Sequence, residues 1–87
     1  MALKNYSVIE AGAAEDGEIY IKLRGVFSFA GGRPRTEDRW FCAFDSQRKE
    51  MLSVALTAIT ANLPVEAQLE TPPAEYTTIS RLYLKNG

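Results

Sequence analysis

The stretch from Arg39 to Glu70 reads RWFCAFDSQRKEMLSVALTAITANLPVEAQLE, and its period changes twice. At the start, Trp40, Cys42 and Phe44 alternate with Phe41 and Ala43. Both faces are apolar, as in a central strand over Arg39 to Phe44. The spacing then lengthens. Asp45 or Ser46 offers a short side-chain oxygen to the free amides of a helix's first turn. Met51, Leu52, Ala55, Leu56, Ala58 and Ile59 follow as one apolar stripe at helical spacing. Asn62 and Pro64 end the helix. From Val65 to Glu70, Val65, Ala67 and Leu69 alternate with Glu66, Gln68 and Glu70, which restores period two. One helix therefore separates two strands.

Three strands precede the helix and two follow it. Asn5 to Ala11 alternates and is rich in β-branched and aromatic residues. Residues 12–17, ending in Glu15-Asp16-Gly17, read as a hairpin loop. Glu18 to Phe29 is the strongest strand, with Ile19, Ile21 and Leu23 on one face and Tyr20, Lys22 and Arg24 on the other. Gly25 within it marks a bulge or sharp bend. Ala30 to Arg35 is a loop. Beyond the fourth strand, Thr71 to Glu75 is a loop stiffened by two prolines. Thr77 to Lys85 closes the chain as a fifth strand, with a bulge expected near Arg81 and Leu82. This order, β-β-β-α-β-β, is that of the five-stranded OB-fold barrel, a mainly β class with one helix. A split sheet with one helix packed on it is the alternative.

Eighty-seven residues make one domain, 1–87. Domains of this size often gain support from disulfides, metals or subunit contacts. A single cysteine, Cys42, permits no internal disulfide, and with no histidine there is no usual zinc site. Oligomerisation is the support that remains. On the helix, Leu52, Leu56 and Ile59 are expected to face the barrel. The small polar side, Ser53, Thr57 and Thr60, is then left for a neighbouring subunit or for solvent. Ten basic and eleven acidic residues leave a net charge of −1, which argues against a protein built on phosphate contacts. No apolar run is long enough to span a bilayer. The N-terminus lacks a secretory pattern. A full-length chain is thus expected to be cytoplasmic, and one whose signal has been removed to be secreted or periplasmic.

Catalytic chemistry finds little to work with. Histidine is the usual acid–base group at neutral pH, and it is absent. Cys42, between Phe41 and Ala43, reads as a small core hydrophobe rather than a nucleophile. Gly31-Gly32 leads into a strand, not a helix, so it lacks the context of a phosphate loop. No enzyme, cofactor or metal is expected. Two clusters could bind a ligand. Arg33 and Arg35, with Arg39 and the nearby Trp40, could stack on a base or grip a carboxylate; a solvated loop balanced by Glu37 and Asp38 is the alternative. Tyr76 and Thr77, an aromatic plate beside hydroxyls, suit a sugar; a tyrosine packing the barrel mouth is the alternative.

Arg39 to Asp45, the helix around Lys49 to Ala58, Leu63-Pro64-Val65 and the closing Ile79 to Leu84 together resemble small bacterial domains related to the binding subunits of pentameric AB-type toxins, especially the subtilase cytotoxin type. That resemblance implies an OB-fold, five copies in a ring with the helices lining a pore, and glycan or protein recognition on the outer surface. Such relatives commonly pair a cysteine on the third strand with one near the last. Here Cys42 has no partner, and Thr78 stands about where one is expected. Two other readings stay open: a single-stranded nucleic acid binding OB domain, and a structural or regulatory subunit of a cytoplasmic complex.

Overall fold

The computed structural model describes residues 4–27, 33–70 and 76–85. Its elements are β1 (Lys4–Ala13), β2 (Ile19–Phe27), β3 (Arg35–Ala43), a 3-10 turn (Asp45–Gln47), α1 (Arg48–Ala61), β4 (Val65–Leu69) and β5 (Thr78–Leu84). The strands close into a barrel in the order β1-β2-β3-β5-β4. This is the expected five-stranded architecture with its single helix between β3 and β4.

Alternation decides what is inside. Ile19, Ile21 and Leu23 of β2, Phe41 and Ala43 of β3, and Val65, Ala67 and Leu69 of β4 are all buried. Burying a large aliphatic or aromatic side chain contributes about 1.5–3 kcal/mol, so these inward rows hold the barrel together. Strand β1 serves two partners. Lys4 to Tyr6 pair with β4, and Ser7 to Ala13 pair with β2. A register shift between Val8 and Glu10 leaves Ile9 as an extra residue. Bulges of this kind bend a strand and help a sheet to curl. Closure is completed by a short parallel pairing of β3 with β5, Cys42 beside Thr78 and Ala43 beside Ile79. The residue beside Cys42 is thus Thr78, which carries a hydroxyl where the resemblance implied a cysteine.

Several local expectations change. β1 extends through Ala13, so the turn is confined to residues 14–18. There Gly17 adopts φ 86° and the Glu18 amide donates to Asp16 Oδ1 at 3.0 Å. β3 begins at Arg35 rather than Arg39, because the β2 ladder continues to the Phe27–Arg35 pair and carries a polar run into the sheet. Gly25 makes no bulge; that ladder passes through it without a shift. The irregularity on β5 falls at Ser80, one residue before the expected place. Gln68 pairs with Arg81 and Leu69 with Ile79, and the Ser80 hydroxyl donates to the Gln68 carbonyl at 3.0 Å. The loop expectations at Ala30 to Gly32 and Thr71 to Glu75, and the strand expectation at Ser28 and Phe29, lie outside the described residues.

The helix is rotated and capped differently from expectation. Asp45 and Ser46 do not cap it; they form the 3-10 turn, and Gln47 takes the cap position without a side-chain bond. The Asp45 carboxylate accepts from Arg48 Nη2 at 3.2 Å instead. Met51, Ala55 and Ala58 face the barrel. Leu52 is only half-buried, while Leu56 is 47% and Ile59 39% exposed. The apolar stripe is wider than the contact. Its narrow row of alanines lets the helix backbone approach closely, and the larger side chains are displaced to the flank. Asn62 ends the helix in the left-handed conformation (φ 55°), its amide reaching the Ala58 and Ile59 carbonyls. Among the described residues, no helix is long and apolar enough to cross a membrane.

Candidate functional site

The outward rows of β2 and β3 face each other in register. Tyr20 pairs with Cys42, Lys22 with Trp40, and Arg24 with Asp38. Inward alternation of Ile21, Leu23, Phe41 and Ala43 forces these six side chains onto one outer face. Lys22 Nζ lies 5.6 Å from the centroid of the Trp40 ring, within cation–π reach. Tyr76 adds a third ring from beyond β3. It stands edge-on to Tyr20, with centroids 5.7 Å apart and planes at 82°.

Tyr76 is held there by its backbone. Its amide donates to the Trp40 carbonyl at 2.8 Å, and the Cys42 amide donates to Thr77 at 3.1 Å. These bonds continue the β3–β5 contact past the end of β5. Tyr76 adopts φ 64°, a left-handed conformation that is uncommon for a bulky residue. Its side chain remains 56% exposed. Strain of this kind gathers at ligand clamps.

Space lies beside the rings. Glu10, the small residues 11–14, Tyr20 and Trp40 line a depression of about 310 Å³. Gly12 is opposite Tyr20 on β1, and a Cβ placed on it would meet nothing within 4 Å. The small residues at the end of β1 thus keep one edge of the aromatic surface open.

The charges on this face are paired. Arg24 Nε donates to Asp38 Oδ1 at 2.7 Å and Nη2 to Oδ2 at 3.1 Å. That bond holds the Asp38 carboxyl below its usual range and pushes Arg24 up. Lys22 Nζ is 4.0 Å from Glu10 Oε1. Cys42 is half-buried between the rows. Burial pushes its thiol above the ordinary value, with nearby Glu18 acting in the same direction. A thiol held protonated is a poor nucleophile.

The structure thus joins Trp40, Tyr76 and Thr77, which the sequence placed in two separate clusters. It does not join Arg33 and Arg35 to them. Arg35 pairs with Phe27 at the far end of the ladder, and strand parity turns it away from the face of Trp40. Arg33 lies two residues before β3 and is exposed. Arg39 also turns to the other face, where its Nη2 meets both Glu37 oxygens at 3.2 Å. Ser53, Thr57 and Thr60 are exposed on α1, beside Leu56 and Ile59. Tyr20, Lys22 and Gly12 were not recognised as site residues; the outward parity of β2 was the available signal. Among the described residues, no group of three or more histidine, cysteine, aspartate or glutamate side chains could hold a metal ion.

No family model matches the chain, and no curated protein does. Among solved structures, the chain is similar to the crystal structure of a small single-stranded DNA binding protein from Mycoplasma pneumoniae. The TM-score is 0.51 at 13% identity, over 94% of this chain and 89% of that one. At that identity the likeness is one of fold, and it agrees with a small OB-fold barrel.

Proposed function

We propose that this chain is a non-catalytic binding module that takes an unpaired nucleic acid strand across the outer face of β1, β2 and β3. The observation that carries this reading is the aromatic face itself, where Lys22 lies over Trp40 and Tyr76 stands edge-on to Tyr20, next to an open depression. Aromatic plates stack on bases of any sequence, each contributing about 1–3 kcal/mol. In OB-folds the β2–β3 face is the usual ligand surface. The fold likeness to a protein described as binding single-stranded DNA supports the same direction. The chain's charge of −1 is compatible with it if stacking, rather than phosphate contact, supplies most of the affinity.

Trp40 is the sole tryptophan, so its fluorescence reports directly on the face. A thymidine oligonucleotide of about fifteen residues, within the span of one to several OB sites, should quench it saturably. Two cations on the face limit the slope of log K against log salt to about −1.4. Trp40→Ala should weaken binding measured by anisotropy at least about fivefold. Absence of both quenching and an anisotropy change at low salt would sink this reading.

A second reading has one observation in its favour. Leu56 and Ile59 are exposed beside Ser53, Thr57 and Thr60 on α1, a surface suited to packing against further copies in a ring with glycan or protein recognition outside it. Native mass spectrometry tests it. A five-fold mass supports the ring, and a monomer at micromolar concentration removes it.

A further inference from the structure

Both cations of the aromatic face already have carboxylate partners, and one pairing is unusually complete. Arg24 and Asp38 are direct cross-strand partners in a ladder without irregularity. Nε and Nη2 of Arg24 meet Oδ1 and Oδ2 of Asp38 at 2.7 and 3.1 Å. This two-point fork is the same geometry a guanidinium offers to a phosphate. A phosphate taking this Nε/Nη2 edge must displace Asp38, and one approaching the remaining edge meets a guanidinium whose charge Asp38 already offsets. The next row holds Lys22 and Trp40, so the contested cation lies one row from the stacking surface. Lys22 is a looser case, with 4.0 Å to Glu10 and its ammonium over the Trp40 ring. Arg24 has a side chain 55% exposed and Asp38 one 32% exposed, so a strand crossing the face can reach both.

We propose that Asp38 is the specificity-determining residue of this face: by occupying Arg24 it makes the site select unpaired bases over backbone phosphates. The proposal rests on the nucleic acid reading above. A duplex presents phosphates while its base faces are stacked internally, so a face whose arginine is spent gains little from it. A single strand presents base faces, which Trp40, Tyr20 and Tyr76 can use without releasing Asp38. Neutralising Asp38 converts the face into a general polyanion site. Nothing covalent is involved; one anion replaces another on the guanidinium.

The test compares the wild-type chain with Asp38→Asn, and with the double variant Arg24→Gln/Asp38→Asn. Three probes of equal length are titrated over a series of salt concentrations. They are a thymidine oligonucleotide, a peptide nucleic acid carrying the same bases on an uncharged backbone, and a DNA duplex. The wild type should bind the first two within a few-fold of each other, and the duplex much more weakly. Asp38→Asn should gain several-fold for the oligonucleotide and the duplex and nothing for the peptide nucleic acid. Its salt slope should steepen by about 0.7, the value of one added phosphate contact on a single strand. The double variant should return to the wild-type slope. Should Asp38→Asn not fold, Asp38→Thr, a residue suited to strands, replaces it. Single-strand binding by the wild type with an unchanged slope and duplex affinity in the variant overturns the role of Asp38 alone. No binding of any probe by either protein overturns the nucleic acid reading and this proposal together. Binding that appears only in the variant also overturns the proposal, because the wild-type face would then select no unpaired bases.

Discussion

The ring of Tyr6 occupies the space that a side chain at Gly25 would need. A Cβ built on Gly25 overlaps Tyr6 Cδ1 and comes within 2.8 Å of Cε1. The ring cannot easily withdraw. It stacks on Phe27 at 5.2 Å, and Phe27 in turn lies 5.4 Å from Phe41 in the core. Gly25→Ala should therefore destabilise the chain by about 1–3 kcal/mol, the usual cost of overpacking. Urea unfolding measures it, and a change within about 0.5 kcal/mol, typical of surface sites, would show that the ring yields.

Tyr76 gives a contrasting case, in which removing a large side chain costs little stability. The left-handed conformation at φ 64° penalises any residue with a Cβ by about 1–2 kcal/mol, and glycine escapes that penalty. Tyr76→Gly loses the edge contact to Tyr20, worth about 0.5–1.5 kcal/mol. The two roughly cancel. Stability should stay within about 1 kcal/mol of wild type, while oligonucleotide affinity falls by the stacking contribution of about 1–3 kcal/mol. Unchanged affinity would remove Tyr76 from the site.

Gly12 borders the depression beside Tyr20, and its φ is not in the left-handed range. Valine fits a strand there, so Gly12→Val should fold with an unchanged melting curve. Its branched side chain would fill the open edge and weaken oligonucleotide binding several-fold. Full affinity in a folded Gly12→Val variant would mean that bases do not enter the depression.

On α1, burial separates two residues of similar size. Met51 is 4% exposed and Leu56 47% exposed. Met51→Ala should cost about 2–5 kcal/mol as a core truncation, whereas Leu56→Ala should stay within about 0.5 kcal/mol, as surface changes do. Paired urea titrations at low protein concentration decide the matter. Equal losses would mean that the helix packs through its other flank.

Alkaline pH should weaken the fold. Burial pushes the Cys42 thiol above its ordinary 9.0 and the Tyr6 hydroxyl above its ordinary 10.0. The folded chain thus keeps protons that the unfolded chain releases. Stability is full below the unfolded values and declines as pH rises through them toward the folded ones. The urea midpoint should fall between about pH 8 and pH 10.5, and Cys42→Ala should delay the onset. A midpoint that rises over this window would contradict the assignment.

The inward rows of β2 and β4 were legible because Ile19, Ile21 and Leu23, and then Val65, Ala67 and Leu69, alternate without interruption. The end of the helix was legible because Asn62 tolerates the left-handed conformation. Helix rotation was not. Period marks a stripe running from Met51 to Ile59, but the closeness of approach permitted by Ala55 and Ala58 chooses which part of it is buried. Arg35 to Asp38 show no strand pattern of their own; they become a strand by pairing with Phe27 through Arg24 on β2. The site needed register as well. Trp40 and Tyr76 were each visible as aromatic residues in polar company. Only the cross-strand ladder and the parallel contact of β3 with β5 bring them together with Tyr20 and Lys22.

Among the described residues, the parallel contact joins two residue pairs, Cys42 with Thr78 and Ala43 with Ile79, extended by the bonds from Cys42 to Thr77 and from Tyr76 to Trp40. Among the described residues it is the shortest ladder of the barrel, with Trp40 and Tyr76 on its two sides. Widening the seam breaks the bond from the Tyr76 amide to the Trp40 carbonyl, so the placement of Tyr76 depends on barrel closure. On the proposed function, a nucleic acid strand stacked on both residues would work as a latch. It should slow amide exchange at Cys42 and Tyr76 more than at the β1–β2 hairpin, and raise the melting temperature as its concentration rises.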